Sequence, residues 1–328
     1  MRREQLPPHK TACYVMPRWK AMYVSVNKAA CTSLKWLVAD VQEESRERFH
    51  RSLSREVSRT MTIHRRSLWQ NTPMAKWMSD DELAAIGDDW FVFGVVRHPT
   101  ARLFSAWQSK LLLREPWWWV DEFGEESWFP RVPASGDEVV EDFVHFVRAV
   151  AQNPKLRVFR NRHFAPQHYL LAADRMDYTR IYRTSEIPAL LSDFERHLRE
   201  QGWEGEPLQL ARANETPLKP IPSLFTDEVL DASRELYRAD FEAFGYDDPM
   251  PGGLDASDTY SEASIAEVGR LIERSERIHD LALRAQELTS ELREAKRLQV
   301  TVPVPVRHNG VVQRFARRLR GRTSTAAG

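Results

Sequence analysis

Apolar residues fall into two kinds of run along this chain. A short apolar run at 21–26 (AMYVSV) predicts a strand, and the continuous block at 90–96 (WFVFGVV), which lacks the alternation of a half-exposed strand, predicts one covered on both faces. A third strand is predicted at 178–182. After each block the apolar positions recur at three- and four-residue steps. Leu34, Leu37, Val38 and Val41 follow the first, and Leu103, Phe104, Trp107 and Leu111 the second. Ile187, Leu190, Leu191, Phe194 and Leu198 follow the third, and further helices are predicted around 139–150 and 227–244. The polar stretch 43–66 reads as helix plus loop. Strands alternating with helices predict an α/β fold, a central parallel sheet flanked by helices in three layers.

Past Phe244 the pattern changes. Residues 249–258 are rich in Pro, Gly, Asp and Ser, as in a linker. Ile265, Val268, Leu271, Ile278, Leu281, Ala285, Leu288, Leu292 and Leu298 then mark one stripe of a long helix. The expected organisation is a folded domain at 1–250, a linker at 251–260, an amphipathic helical extension at 261–300 and a basic tail at 301–328. Gly269 and Ser275 interrupt the stripe. The helix either packs on its own domain, the simpler arrangement, or pairs with a second chain as a homodimeric coiled coil. The tail, ending in VQRFARRLRGRTSTAAG, carries no acidic residue after 307. Its composition favours a solvated, flexible segment over a short basic helix making peripheral contact with an anionic membrane.

Composition narrows the function classes. Apolar residues make up 42% and charged residues 29% of 328, the balance of a folded domain. Forty-seven basic residues offset 47 acidic ones, which excludes a nucleic-acid binder working through its whole surface and confines any anion site to a local patch. Cys13 and Cys31 support neither a disulfide framework nor a structural zinc site. No apolar run follows the basic N-terminus and none approaches the roughly 20 residues of a membrane helix. A soluble, cytoplasmic protein is expected.

Two segments carry candidate chemistry. In SVNKAACTSLKWL, a loop between a buried strand and a helix offers free N–H groups at a helix N-terminus, a mobile cation in Lys28 and hydroxyls in Thr32 and Ser33. This is phosphate-cradling logic without the G-x-x-x-x-G-K-[ST] pattern of nucleotidases. In VVRHPTARLFSAW, Arg97 ends the second buried strand, the usual place for ligand contacts in an α/β sheet, and Ser105 follows eight residues later on a helix. Taken singly, each is as well explained by an ordinary capped helix or by an ion pair.

Their order and separation resemble a family. Lys28, Ala30, Cys31, Thr32 and Ser33 are similar to the P-K-x-A-C-T-S/N loop of chondroitin and dermatan 4-O and related carbohydrate sulfotransferases, with Asn27 where that form has proline. Arg97, Pro99, Arg102 and Ser105 match its R-x-P-x-x-R-x-x-S motif. NRHFAPQHYLL resembles the H-[WF]-x-P-Q segment, and LYRADFEAFGYD the closing L-Y-x-x-D-F-x-x-F-G-Y, so the likeness covers roughly 20–248. The absence of the membrane anchor typical of Golgi relatives points to a soluble, bacterial-like member.

The resemblance implies a P-loop-like fold and sulfuryl transfer from 3′-phosphoadenosine 5′-phosphosulfate (PAPS) to a hydroxyl of a carbohydrate or glycolipid acceptor, with no metal. Lys28 would meet the bridging oxygen, the loop from Ala29 to Ser33 would hold the 5′-phosphate, and Arg97 and Ser105 would grip the 3′-phosphate. For the base that takes the acceptor proton, His64 leads, in the place where relatives carry a histidine near the acceptor; His163 follows, then His98 or a carboxylate. Trp117, Trp118, Trp119, Trp128 and Phe129 form either a saccharide platform or, by the commoner reading, a small satellite core. A divergent P-loop kinase would need a metal-binding carboxylate where Arg97-His98-Pro99 stands. A non-catalytic scaffold acting through its C-terminal helix would be expected to have lost Lys28 or Arg97.

Overall fold

The computed structural model describes residues 1–49, 61–211, 213, 216–248 and 250–301. Strands β1 (Cys13–Met16), β2 (Ala21–Val24), β3 (Phe91–Val96) and β4 (Arg180–Arg183) form one sheet in that order. β1 runs antiparallel to β2, and β2, β3 and β4 are mutually parallel. The helices are α1 (Cys31–Val41), α2 (Arg46–Phe49), α3 (Asp80–Ala84), α4 (Pro99–Trp107), α5 (Trp118–Phe123) and α6 (Gly136–Gln152). They continue with α7 (Gln167–Leu171), α8 (Ile187–Glu200), α9 (Asp227–Leu236), α10 (Arg238–Phe244) and α11 (Glu262–Thr301). This is the α/β fold expected, with a mostly parallel sheet.

Side chains alternate across the sheet as the pleat requires. Tyr14, Tyr23, Phe91, Phe93 and Val95 meet Leu34, Leu37 and Val38 of α1 and Leu190, Phe194 and Leu198 of α8. Cys13, Val15, Met22, Val24, Val92 and Val96 face the other way, onto Leu83 and the α7 pair Leu170 and Leu171. Every residue of the first three strands is buried, which is why their sequences read as continuous apolar blocks. A third cluster unites α4, α5, α6 and α9 beside the sheet.

Several boundaries differ from the sequence pattern. β1 was not foreseen because four residues at a sheet edge carry too little periodicity to register. The third strand starts at Arg180, since Tyr178 and Thr179 are turned to bond Leu171 and the Trp90–Val92 backbone instead. The helix expected at 227–244 breaks at Tyr237 (φ −120°, ψ 27°), whose hydroxyl donates to the Phe164 carbonyl. Trp119 and Trp128 are core residues, and Trp117 and Phe129 pack against them. Trp118 alone of the five is exposed (39%), its ring stacked on Trp119 at 4.3 Å.

Helix α11 divides between two compact units, Met1–Glu276 and Arg277–Gly328. In the first, Ile265, Val268 and Ile272 are buried in the helical cluster. In the second, Ile278, Leu281, Leu288 and Leu292 are 49–67% exposed. The basic tail lies outside the described residues. Among those described, no helix is long and apolar enough to cross a membrane.

One buried carboxylate joins the C-terminal helices to the segment entering α7. Asp240 is fully buried and accepts from the backbone N–H of Gln167 (2.8 Å) and of His168 (2.7 Å). Asp240→Ala strands both donors and is expected to cost about 3 kcal/mol, the penalty of unsatisfied buried groups. Urea unfolding of the variant beside the smaller loss in Asp240→Asn, which keeps one acceptor, checks this.

Candidate functional site

The turn from β2 to α1 is built by residues in an unusual backbone state. Lys28 (φ 68°) and Ala30 (φ 55°) both lie in the left-handed region, where a phosphate loop ordinarily places glycine. Such residues cost of order 1 kcal/mol each and persist only where surroundings impose them. The consequence is a row of available donors. Among the described residues no protein acceptor takes the N–H groups of Lys28, Ala30, Cys31, Thr32 or Ser33. They stand at the N-terminus of α1, where the helix dipole adds positive potential.

Lys28 projects into this place without a hydrogen-bond partner among the described residues. Burial and then Lys110 push its ammonium down to about 7; Cys31 opposes them, and smaller effects come from Arg97, which lowers it further, and Glu115, which raises it. Arg97 therefore shares one electrostatic site with Lys28. Its guanidinium has no partner among the described residues, and burial lowers its basicity first, the nearby Arg102 second. Ser105, two turns into α4, is buried with its hydroxyl equally unclaimed by the described residues. His98 is held away from the loop: its Nε2 meets the Asp248 carbonyl at 2.9 Å and its ring packs on Phe241 and Tyr246.

The scaffold beneath is specific. Gln167 brackets Arg97, accepting from its N–H (2.9 Å) and donating to its carbonyl (2.8 Å). Asp240 in turn holds Gln167. Arg102 is 1% exposed and has no carboxylate among its hydrogen-bond partners; it donates to the carbonyls of Asn27 (2.9 Å), Ala165 (2.9 Å) and Arg162 (3.1 Å). Its place in the R-x-P-x-x-R-x-x-S motif is thus structural: it fastens the donor-rich loop to the segment carrying His163.

Both leading histidine candidates reach the loop. His64 lies with Nε2 3.0 Å from Thr32 Oγ1 and Nδ1 2.9 Å from Lys35 Nζ. Burial, then Lys35, Lys110, Arg162 and Lys28, hold its pKa down at about 3. His163 Nδ1 is 2.6 Å from Asn161 Oδ1, and its Nε2 is 3.1 Å from Asn27 Nδ2. The same Asn161 oxygen accepts the His163 N–H, which fixes it as an acceptor, so the imidazole proton sits on Nδ1 and the Nε2 lone pair faces the loop. Burial and then Lys110, Lys28, Arg102 and Arg162 keep this ring neutral.

The arrangement gathers cations around two neutral imidazoles and a cluster of free N–H groups. Among the described residues no group of His, Cys, Asp and Glu side chains could hold a metal ion. Such a site can grip a polyanion at two points and accept a proton nearby. Sequence reasoning missed Lys35, Lys110, Asn161, Gln167 and Asp240. Lys35 was the most findable, three residues after Thr32 and so on the same face of α1. Lys110 sits in the π-helical turn Gln108–Leu112 that continues α4, and nothing local in its sequence marks it.

Comparison with known proteins identifies the family. The pattern of the sulfotransferase family matches residues 12–247, which takes in the loop, both histidines, Arg97, Ser105 and the scaffold of Gln167 and Asp240. No curated protein and no solved structure matches the chain. The match spans most of the chain and all of the site: this protein belongs to the sulfotransferase family.

Proposed function

We propose that this enzyme transfers a sulfuryl group from PAPS to a hydroxyl of a carbohydrate or glycoconjugate acceptor by in-line displacement. The observation that carries the reading is the set of free N–H groups around the desolvated Lys28, with a second unpaired cation, Arg97, in the same field. One polyanion with charges at both ends of an adenosine suits the two arms. The loop amides, Thr32 and Ser33 would hold the 5′-phosphate, and Arg97 and Ser105 the 3′-phosphate.

PAPS supplies an activated sulfuryl group whose departing bridging oxygen gains negative charge. Lys28 would meet that charge, and desolvation would strengthen the interaction. The acceptor oxygen forms the new S–O bond as the bridging S–O bond breaks. Its proton passes to an imidazole at the loop, and adenosine 3′,5′-bisphosphate leaves. Trp118, exposed and backed by Trp119, offers a flat face for the C–H surface of a sugar. The buried free thiols Cys13 and Cys31 suit a reducing cytoplasm.

Adenosine 3′,5′-bisphosphate is the probe. Calorimetry is expected to show tight binding that needs the 3′-phosphate, with AMP far weaker, and a loss of about tenfold or more in Lys28→Ala and in Arg97→Ala, as for charged hydrogen bonds. Equal affinity for AMP would overturn the assignment.

Binding should also take up a proton. Lys28 titrates at about 7 in the free protein and is raised on meeting phosphate, toward the ordinary lysine value of about 10.4. Affinity should be flat below the free value and fall by up to about tenfold per pH unit above it. Calorimetric heats in buffers of different ionisation enthalpy measure the uptake, and Lys28→Arg, which stays charged, should abolish it.

The exposed part of α11 fits a second copy of this chain. Ile278, Leu281, Ala285, Leu288, Leu292 and Ala295 keep an unbroken alternation of three- and four-residue steps. A parallel, in-register pair sets Glu291 against the partner's Lys296 and opposes no like charges at the flanking positions. Light scattering should show a dimer whose fraction rises with concentration and disappears in Leu281→Asp/Leu288→Asp. A wild type monomeric throughout would refute the pairing.

A further inference from the structure

The two imidazoles at the loop are held in opposite ways, and the difference assigns them different work. Lys35 Nζ lies 2.9 Å from His64 Nδ1. An ammonium has three donors and no acceptor, so Nδ1 must accept and the ring proton must sit on Nε2. That proton points at Thr32 Oγ1, 3.0 Å away. The Thr32 oxygen is thereby the acceptor, and its own hydroxyl proton is left to donate at the start of α1. His163 has the reverse tautomer: Nδ1 donates to Asn161, and the Nε2 lone pair meets only the neutral amide of Asn27.

We propose that Lys35 and His64 form a positioning relay, Lys35 to His64 to Thr32, which locks the Thr32 hydroxyl as a donor toward the phosphosulfate. His64 is then not the group that accepts the acceptor's proton, because a cation occupies its only lone pair. The proton goes to Nε2 of His163, whose lone pair is held only by the neutral amide of Asn27, a partner that can be given up without leaving a buried cation unpaired. Lys35 and His64 are positioning residues, acting through Thr32. The basic neighbours that face His64 from other segments, Lys28, Lys110 and Arg162, reinforce its neutral state. The ligand end of the relay rests on the donor reading above, whereas the tautomer stands on this chain alone.

Buried position makes the lock stable. Lys35 and Thr32 are 8% and 3% exposed, and Lys35 also lies over the Tyr14 ring, 5.5 Å from its centroid. His64 ends the short helical turn Met61–His64, with Ile63 fully buried beside it. Neither end of the relay can reorient freely without disturbing the core.

Nitrogen-15 histidine NMR on the unliganded wild type tests the lock without any substitution. The expected spectrum has His64 protonated on Nε2, with shifts that stay constant from about pH 5.5 to 8.5, the range in which a free imidazole titrates. Lys35→Met frees Nδ1 and should cost the ring its single Nε2–H tautomer, while burial keeps it neutral, and Lys35→Arg should preserve the lock. A His64 protonated on Nδ1, or titrating within that range in the wild type, overturns the proposal.

A double-mutant cycle tests the connection to the donor site. Thr32→Val and Lys35→Met should each weaken adenosine 3′,5′-bisphosphate binding, Thr32→Val by about tenfold for a hydrogen bond to a charged group. The double variant should lose no more than Thr32→Val alone. Losses that add in full break the relay even where the tautomer is as stated. A wild type that does not bind the bisphosphate overturns the donor reading instead, and the tautomer still decides the lock.

Discussion

The guanidinium of Arg102 is the tie on which the site depends. A fully buried cation is costly unless its donors are satisfied, and here three backbone carbonyls satisfy it, with no carboxylate among its hydrogen-bond partners. Those carbonyls belong to Asn27 on the loop before α1, and to Arg162 and Ala165 on either side of His163. Arg102 itself rides on α4, the helix that follows Arg97 and carries Ser105. One side chain therefore sets the distances among the donor-rich loop, a histidine and the second cationic arm. An aliphatic side chain could fill the same space but would strand the carbonyls, and lysine could not reach three of them in a planar fork.

The remaining scaffold repeats that logic with a carboxylate in place of the cation. Asp240 gathers N–H groups at the entrance to α7, and Gln167 passes the constraint to the backbone of Arg97. Tyr237 adds a bond to the Phe164 carbonyl. Segments that read in sequence as separate motifs along some 200 residues are thus one hydrogen-bonded frame. The frame uses backbone groups as partners almost throughout, which frees the charged ends of Lys28 and Arg97 from structural duty.

What the sequence displayed was the part governed by local physics. Apolar runs announced β2 and β3 because both faces of those strands are covered, and helical spacing announced α1, α4 and α8. The loop stood out because its chemistry is contiguous: a lysine, small residues and two hydroxyls in one turn. Pairings between distant residues left no such trace. Nothing local marks the pairing of Lys35 with Tyr14 and His64, which meet it only in the fold. Arg102 was visible only as a motif position, since a buried arginine and a phosphate-binding arginine are the same letter. Edge strand β1 was too short to show a period, and the break at Tyr237 reflects a tertiary bond to Phe164 that no local pattern encodes.

A chain with no net charge nevertheless concentrates cations here: Lys110 and Arg97 act on Lys28, Lys28, Lys110 and Arg162 act on both imidazoles, and Lys35 acts on His64. In the free protein this is unfavourable: Lys28 and Arg97 are desolvated, and two non-glycine residues sit in left-handed conformations. Folding elsewhere must sustain that strain, and the buried frame is what sustains it. The same features favour a reaction in which negative charge grows on a leaving oxygen. Donors already fixed and already dehydrated need not reorganise as the charge appears, so their interaction is larger in the transition state than in the ground state. A softer loop, with glycine at 28 or 30 and mobile hydroxyls, would relieve the strain and surrender that difference.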